Sequence, residues 1–189
     1  CFAVLLSVIR QIAAGNDLLF LVCGTRGFPL GEHLAVGQPP VHQHLYNEAL
    51  SVPAFIRYPD GHLGMKRHRY LAQLGDLSDC LSQWLLNHEI KLKWPERQFS
   101  VSRGDESWLL RTQSWHAQFD RISDQPEQDL LASRLFLQPD DANEVNDVSD
   151  RCEAVASAAR EFLLQIRDAN PAVSDQSVRV PEILLEPAE

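Results

Sequence analysis

The stretch "DLLFLVCGTRGFPLGEH", residues 17–33, decides how the chain is read. From Leu18 to Cys23 every residue is apolar, with no polar alternation. A short continuous apolar run suits a strand covered on both faces, and such strands belong mainly to parallel sheets flanked by helices. The run stops at Gly24, and a glycine-punctuated loop follows that carries Thr25, Arg26, Glu32 and His33. Open α/β sheets gather their ligands in loops at the carboxyl ends of their strands, so this loop is the first place to look for chemistry.

Upstream, Phe2, Leu5, Leu6, Ile9, Ile12 and Ala13 recur at helical spacing, and Gly15 with Asn16 supplies a stop. Downstream, about 25 residues separate the strand from the next apolar run, "VPAFIRYP" at 52–59, which the turn "PDGHLG" closes. That connection is longer than usual and includes a short helical piece near "LYNEAL", so its origin is functional. "RYLAQLGDLSDCLSQWLLN" reads as a short strand, a cap at Asp76 or Ser78, and a helix with Leu77, Cys80, Leu81, Trp84 and Leu85 on one face.

Beyond residue 94 the texture changes. "FSVS", "SWLLRT", "WHAQFD" and "SRLFLQ" are short, aromatic-rich and separated by turn residues, the pattern of an antiparallel sheet. A helix over about 149–168 places Cys152, Val155, Ala156, Ala159, Phe162, Leu163 and Ile166 on one stripe, fit to cover a face of that sheet. The acidic run "PDDANEVND" lacks the spacing of a calcium loop and reads as a turn into this helix. After Pro171 two prolines and no sustained period predict a tail that docks through Ile183 and Leu184.

The expected fold class is α/β: the end of a large mixed, mostly parallel sheet with flanking helices, plus a small C-terminal antiparallel sheet packed by one long helix. The expected domains are 1–93 for the α/β part, 94–170 for the small sheet and its helix, and 171–189 for the tail.

A formal net charge of -9, from 17 basic and 26 acidic residues, argues against a nucleic-acid surface, which needs clustered cations. The one basic cluster, "KRHR" at 66–69, reads as a solvated hairpin face. Arg10, Asn16 and Asp17 interrupt the N-terminal apolar run, so no membrane span is expected. That run has no basic flank and so does not read as a signal peptide, which leaves localisation open. The chain begins with Cys1 rather than Met and reads as a fragment of a longer polypeptide. Cys1, Cys23, Cys80 and Cys152 lie far apart with no metal-ligand spacing, as incidental thiols do.

"CGTRG" at 23–27, "GEHLAVGQ" at 31–38 and "LYNEALSVPAFIRYPDG" at 45–61 follow one another in order. They resemble the carboxyl-terminal portion of the sulfatases, in the alkaline phosphatase superfamily, where a T-S-D-H-G pattern precedes G-E-H-G-x-x-x-K and then L-Y-E-E-x-x-R-V-P-x-I-I-R-x-P-G. "YLAQLGDLSDCL" is similar to that family's strand, Asp and helix around Asp76. "SWLLRTQSWHAQFD" is similar to A-x-R-T-x-x-W/Y-K-Y, and "LFLQPDDANEVNDV" to L-Y-D-L-x-x-D-P-x-E-x-x-N-L. The resemblance runs from about Phe2 to Arg167.

It implies an alkaline-phosphatase-like fold, sulfuric ester hydrolysis, a calcium ion and frequent export. It also implies a nucleophile motif C/S-x-P-x-R, which this chain lacks and which lies upstream in the family. The family's metal-binding Asp and His/Asn fall at Thr25 and Arg26. Arginine has no acceptor atom and calcium takes oxygen ligands, so this pair does not fit the ion. A guanidinium about 4 Å from a divalent ion is repelled by about 8 kcal/mol at an effective dielectric near 20. The sulfate-contacting lysine falls at Gln38 and the arginine of R-V-P at Ser51, while His33 retains the His of G-E-H as the one candidate catalytic residue.

Arg26 either pairs with Glu32 or holds an anion by bidentate hydrogen bonds, with Gln38 beside it as a second anion contact. No cofactor is expected within this chain. The resulting expectation is the C-terminal fragment of a sulfatase-like protein, catalytically impaired or inactive. Two alternatives are an active metal-dependent sulfatase in the full-length protein, and a non-catalytic module for an anionic glycan or protein partner. The implied partners are the N-terminal half of the same polypeptide and a sulfated small molecule or glycan.

Overall fold

The computed structural model describes residues 2–12, 18–31, 33, 45–59, 64–67, 71–87, 96–104, 107–121, 130–169 and 178–186. Glu32 and Gln38 lie outside them. The chain divides into two units: residues 1–25, 52–69 and 74–95 form the first, and residues 26–51, 70–73 and 96–189 the second.

The first unit holds helix α1 (Phe2–Ile12), strands β1 (Phe20–Cys23) and β2 (Ala54–Arg57), and helix α3 (Leu74–Asn87), with α2 (Asn47–Leu50) assigned to the other unit. β1 and β2 pair antiparallel, Phe20 opposite Arg57 and Cys23 opposite Ala54, where the continuous apolar run suggested a parallel neighbour. The run reports how a strand is covered and carries no information on the direction of the strand beside it. β1 is half-buried throughout, and β2 leaves Phe55 67% exposed.

Among the described residues, Tyr58 and Cys80 are buried together in this unit, joined by Leu19, Ile56, Leu81 and Trp84. Burial raises the Cys80 thiol above its ordinary value, with Asp76 and Asp79 adding to the effect. α3 begins at Leu74, so the expected caps Asp76 and Ser78 lie inside the helix, and residues 71–73 form no strand. Asp76 in the first turn faces the positive end of the helix dipole. Leu85, expected on the inner face, is 64% exposed, and on α1 Leu5 is 52% exposed.

The second unit is a meander of four antiparallel strands: β3 (Phe99–Arg103), β4 (Ser107–Thr112), β5 (Trp115–Arg121) and β6 (Leu130–Leu137). Period-2 alternation sends Trp115, Ala117 and Phe119 to one face, where they join Phe99, Leu110 and Leu135. Helix α4 (Glu153–Ala169) covers that face with Val155, Ala156, Ala159, Phe162, Leu163 and Ile166, the stripe read from its 3.6 period. Phe162 meets Phe99 edge to face, with ring centroids 5.1 Å apart.

Val180 and Leu184 dock into the same core, Leu184 through a 3-10 helix (Glu182–Leu184), whereas Ile183 points outward at 39% exposure. Three backbone carbonyls fix this segment. Thr112 Oγ1 donates to Leu184 at 2.7 Å, Ser114 Oγ to Leu185 at 2.8 Å, and Trp115 Nε1 to Glu186 at 2.9 Å. Thr112 Oγ1 also accepts from the Trp115 N–H at 3.0 Å. Thr112→Val keeps the shape but leaves these buried partners unpaired, and is expected to cost about 1–3 kcal/mol, read as a lower urea midpoint at unchanged slope.

Candidate functional site

The turn after β1 is built by close backbone approach. The Gly24 N–H donates to the Pro53 carbonyl at 2.9 Å, and the Gly27 N–H to the Ala49 carbonyl at 2.9 Å. A Cβ on Gly27 would lie 1.9 Å from the Glu48 carbonyl oxygen, so only glycine fits there. Thr25 and Arg26 between these glycines are exposed. One hydroxyl and one guanidinium offer a hard cation few oxygen donors. Among the described residues, no group of three or more His, Cys, Asp or Glu is placed to hold a metal ion.

The face of the sheet opposite α4 carries a different chemistry. Cross-strand register sets Arg111 beside His116 and His116 beside Phe136 in one row, and Leu109, Gln118 and Arg134 in the next. His116 and Gln118 stand on the polar side of the β5 alternation, yet both are wholly buried. The segment 45–51 meets this face through Asn47 on Arg111 and Tyr46 on Arg134, and its residues 45–50 are all partly buried.

Glu144 is the centre of the arrangement. It is fully buried and holds φ at 55°, in the left-handed region. Its Oε1 lies 2.6 Å from His116 Nδ1, and its Oε2 accepts the Asn47 N–H at 2.8 Å. Its backbone carbonyl accepts from His33 Nε2 at 3.1 Å. The run "PDDANEVND", read as a turn alone, thus supplies the residue that joins three segments of the chain.

His33 is held by several described partners. Its Nδ1 lies 2.6 Å from Glu48 Oε1, and its ring stacks on Tyr46 at 3.5 Å with planes 4° apart. Arg134 lies 5.5 Å from the Tyr46 ring and donates to its hydroxyl. Both imidazole nitrogens face acceptors, and only the doubly protonated ring can donate from both. Burial opposes that charge, but the bond to Glu48, the bond to the Glu144 carbonyl and the two carboxylate charges outweigh it and raise the His33 pKa. Geometry and the neighbouring carboxylates both favour the protonated ring.

Arg111 completes the knit by donating from Nη1 to Asn47 Oδ1 at 2.6 Å, with Ser51 Oγ at 3.5 Å. The Ser51 hydroxyl also donates to Asn47 Oδ1, and Asn47 Nδ2 reaches the Ala142 carbonyl at 3.3 Å. Burial holds the Arg111 guanidinium below its ordinary value, partly offset by Glu144, and it stays charged. Of the candidate residues, the structure places His33 and Ser51 in this network. It leaves Thr25 and Arg26 exposed at the β1 turn.

No protein-family model and no curated protein matches the sequence. Solved structures do match its fold. The protein yidJ of Bacteroides fragilis, assigned as a sulfatase, aligns with a TM-score of 0.65 at 15% identity over 89% of this chain. BT33336S-sulf of Bacteroides thetaiotaomicron, described with the metabolism of glycosaminoglycans, aligns at 0.63 with 12% identity over 87% of the chain. BT4656, in complex with its substrate D-glucosamine-2-N,6-O-disulfate, aligns at 0.55 with 15% identity over 92%. The chain spans only 39%, 42% and 39% of those proteins respectively. Across nearly its whole length, and over about two fifths of theirs, this chain has the fold of the sulfatases.

Proposed function

We propose that the chain is the carboxyl-terminal portion of a sulfatase-like protein that keeps the sulfatase scaffold and has lost sulfate-ester hydrolysis. The observation that carries this reading is a division among the motif positions. The residues that match the family pattern, His33, Tyr46, Glu48, Arg111 and Glu144, converge in one hydrogen-bonded knit. The positions of the metal and sulfate contacts hold Thr25, Arg26 and Gln38 instead. His33, with both nitrogens committed to protein acceptors, works as scaffold and has no free nitrogen for a substrate proton.

The rest of the same polypeptide supplies the partner for the exposed apolar side chains of the first unit, among them Val4, Leu5 and Phe55. A second reading, an active metal-dependent sulfatase in the whole protein, is favoured by the fold likeness to BT4656 with its sulfated substrate. A third makes the chain part of a non-catalytic module for an anionic glycan or protein partner, with exposed Arg26 as a contact.

The full-length protein separates them. Incubation with a 6-O-sulfated aminosugar is expected to release no sulfate above the enzyme-free rate, and calcium is expected to leave the melting temperature unchanged. An active hydrolase would instead gain about 2.7 kcal/mol at a calcium concentration a hundredfold above Kd, together with measurable sulfate release, and that result would overturn the proposal. Stabilisation by the sulfated sugar alone would select the binding module.

A further inference from the structure

We propose that the segment 45–51 is a polar strap, docked on the second unit while the His33 imidazolium bridges Glu48 and Glu144 and released when that ring loses a proton. The inference goes beyond the question of hydrolysis and holds for either answer to it.

What fastens the strap includes a dense set of polar contacts. Its helix α2 has no fully buried residue, but Leu45, Tyr46 and Leu50 are partly covered, so an apolar term acts beside the polar contacts. Its attachments are the Asn47 N–H to Glu144 Oε2, Asn47 Nδ2 to the Ala142 carbonyl, Arg111 to Asn47 Oδ1, the Gly27 N–H to the Ala49 carbonyl, and Glu48 to His33. Tyr46 adds a ring stacked on His33 and a hydroxyl bonded to Arg134. His33 therefore touches the strap twice, through Glu48 and through Tyr46, and touches the loop after β6 once, through the Glu144 carbonyl.

Only the imidazolium can make both ring bonds. A neutral ring keeps one N–H, and its other nitrogen then turns a lone pair toward an oxygen, an arrangement that repels. The charged groups around His33 among the described residues are Glu48 on α2 and Glu144 on the loop after β6. Arg134 on β6 lies beyond Tyr46, His116 on β5 stands against Glu144, and Arg111 on β4 reaches Asn47. The two carboxylates nearest the ring favour its charge, in line with its raised pKa. The sign follows: a raised folded-state pKa gives stabilisation that is complete below the ordinary histidine value near 6.5 and lost as pH rises through the raised one.

Hydrogen exchange on the full-length protein tests this, with the peptide covering 45–51 as reporter and the peptide covering β4 and β5 as internal standard. After correction for intrinsic base catalysis, the strap is expected to exchange about tenfold faster or more at pH 9 than at pH 6, the scale of one charged hydrogen bond, while the standard stays fixed. His33→Gln and Glu48→Gln are each expected to exchange fast at both pH values, with the dependence abolished. Equal protection of the wild-type strap at pH 6 and pH 9 would overturn the proposal, as would a pH dependence surviving in either variant. Should His33→Gln lose the protection of the standard as well, Glu48→Gln and the wild-type profile still decide the matter.

Discussion

Replacing Glu144 with alanine is expected to destabilise the full-length protein by about 3–5 kcal/mol, measured by urea denaturation. Both partners of the Glu144–His116 pair are fully buried, so truncating one leaves the other desolvated and unpaired. The same change removes the acceptor for the Asn47 N–H. Glu144→Gln keeps an oxygen for that N–H and nearly the same volume, and should cost less than half as much. If alanine and glutamine are equally harmful, the loss comes from shape and the charge on Glu144 is not what holds the pair. The exchange rate of 45–51 should rise in the alanine variant even at pH 6.

Ending the chain after residue 177 is expected to be more damaging still, on the order of 5 to 10 kcal/mol. Val180 and Leu184 are buried to 2% and 0% exposure, each worth about 1.5–3 kcal/mol in apolar transfer alone. Their removal opens the core beneath α4 and takes away the acceptors for Thr112, Ser114 and Trp115. Circular dichroism and tryptophan fluorescence should then report a shorter cooperative range or none. A truncated protein that melts within a few degrees of the full chain would mean that the segment merely rests on the sheet.

The antiparallel sheet and α4 were legible because each obeys one period over enough residues to bury a whole face. Trp115, Ala117 and Phe119 alternate, and Val155, Ala159, Phe162 and Ile166 return every three to four positions. The tail was half legible: Leu184 docks as expected, but Val180 rather than Ile183 shares the work. The polar knit was not legible locally. His116 and Gln118 look like the wet side of a half-buried strand, and nothing near them in sequence says otherwise. The segment that contacts this face lies far upstream, Asn47 by 64 residues from Arg111 and Tyr46 by 88 from Arg134, and hydrogen bonds across such separations leave no periodic trace. Glu144 was hidden for the same reason, inside a run whose composition already suffices for a turn.

The resemblance could have pointed there, since His33, Glu48, Arg111 and Glu144 each occupy a position the family pattern specifies. What the pattern lacks is any statement of which specified residues do chemistry and which hold the frame. In the structure His33, Glu48, Arg111 and Glu144 lie in one hydrogen-bonded network together with Asn47 and Ser51, which depart from the pattern.

Glu144 also faces two demands that pull toward different amino acids. A φ of 55° favours glycine, asparagine or aspartate, and other side chains bear a strain of about 1–2 kcal/mol there. Reaching His116 and Asn47 at once takes the full length of a glutamate. No substitution satisfies both, so among descendants of this protein the codon for residue 144 should be close to frozen. Neutral drift would have to enter by remodelling His116 or Asn47 first, and the order in which those replacements accumulate should be readable in a reconstructed lineage.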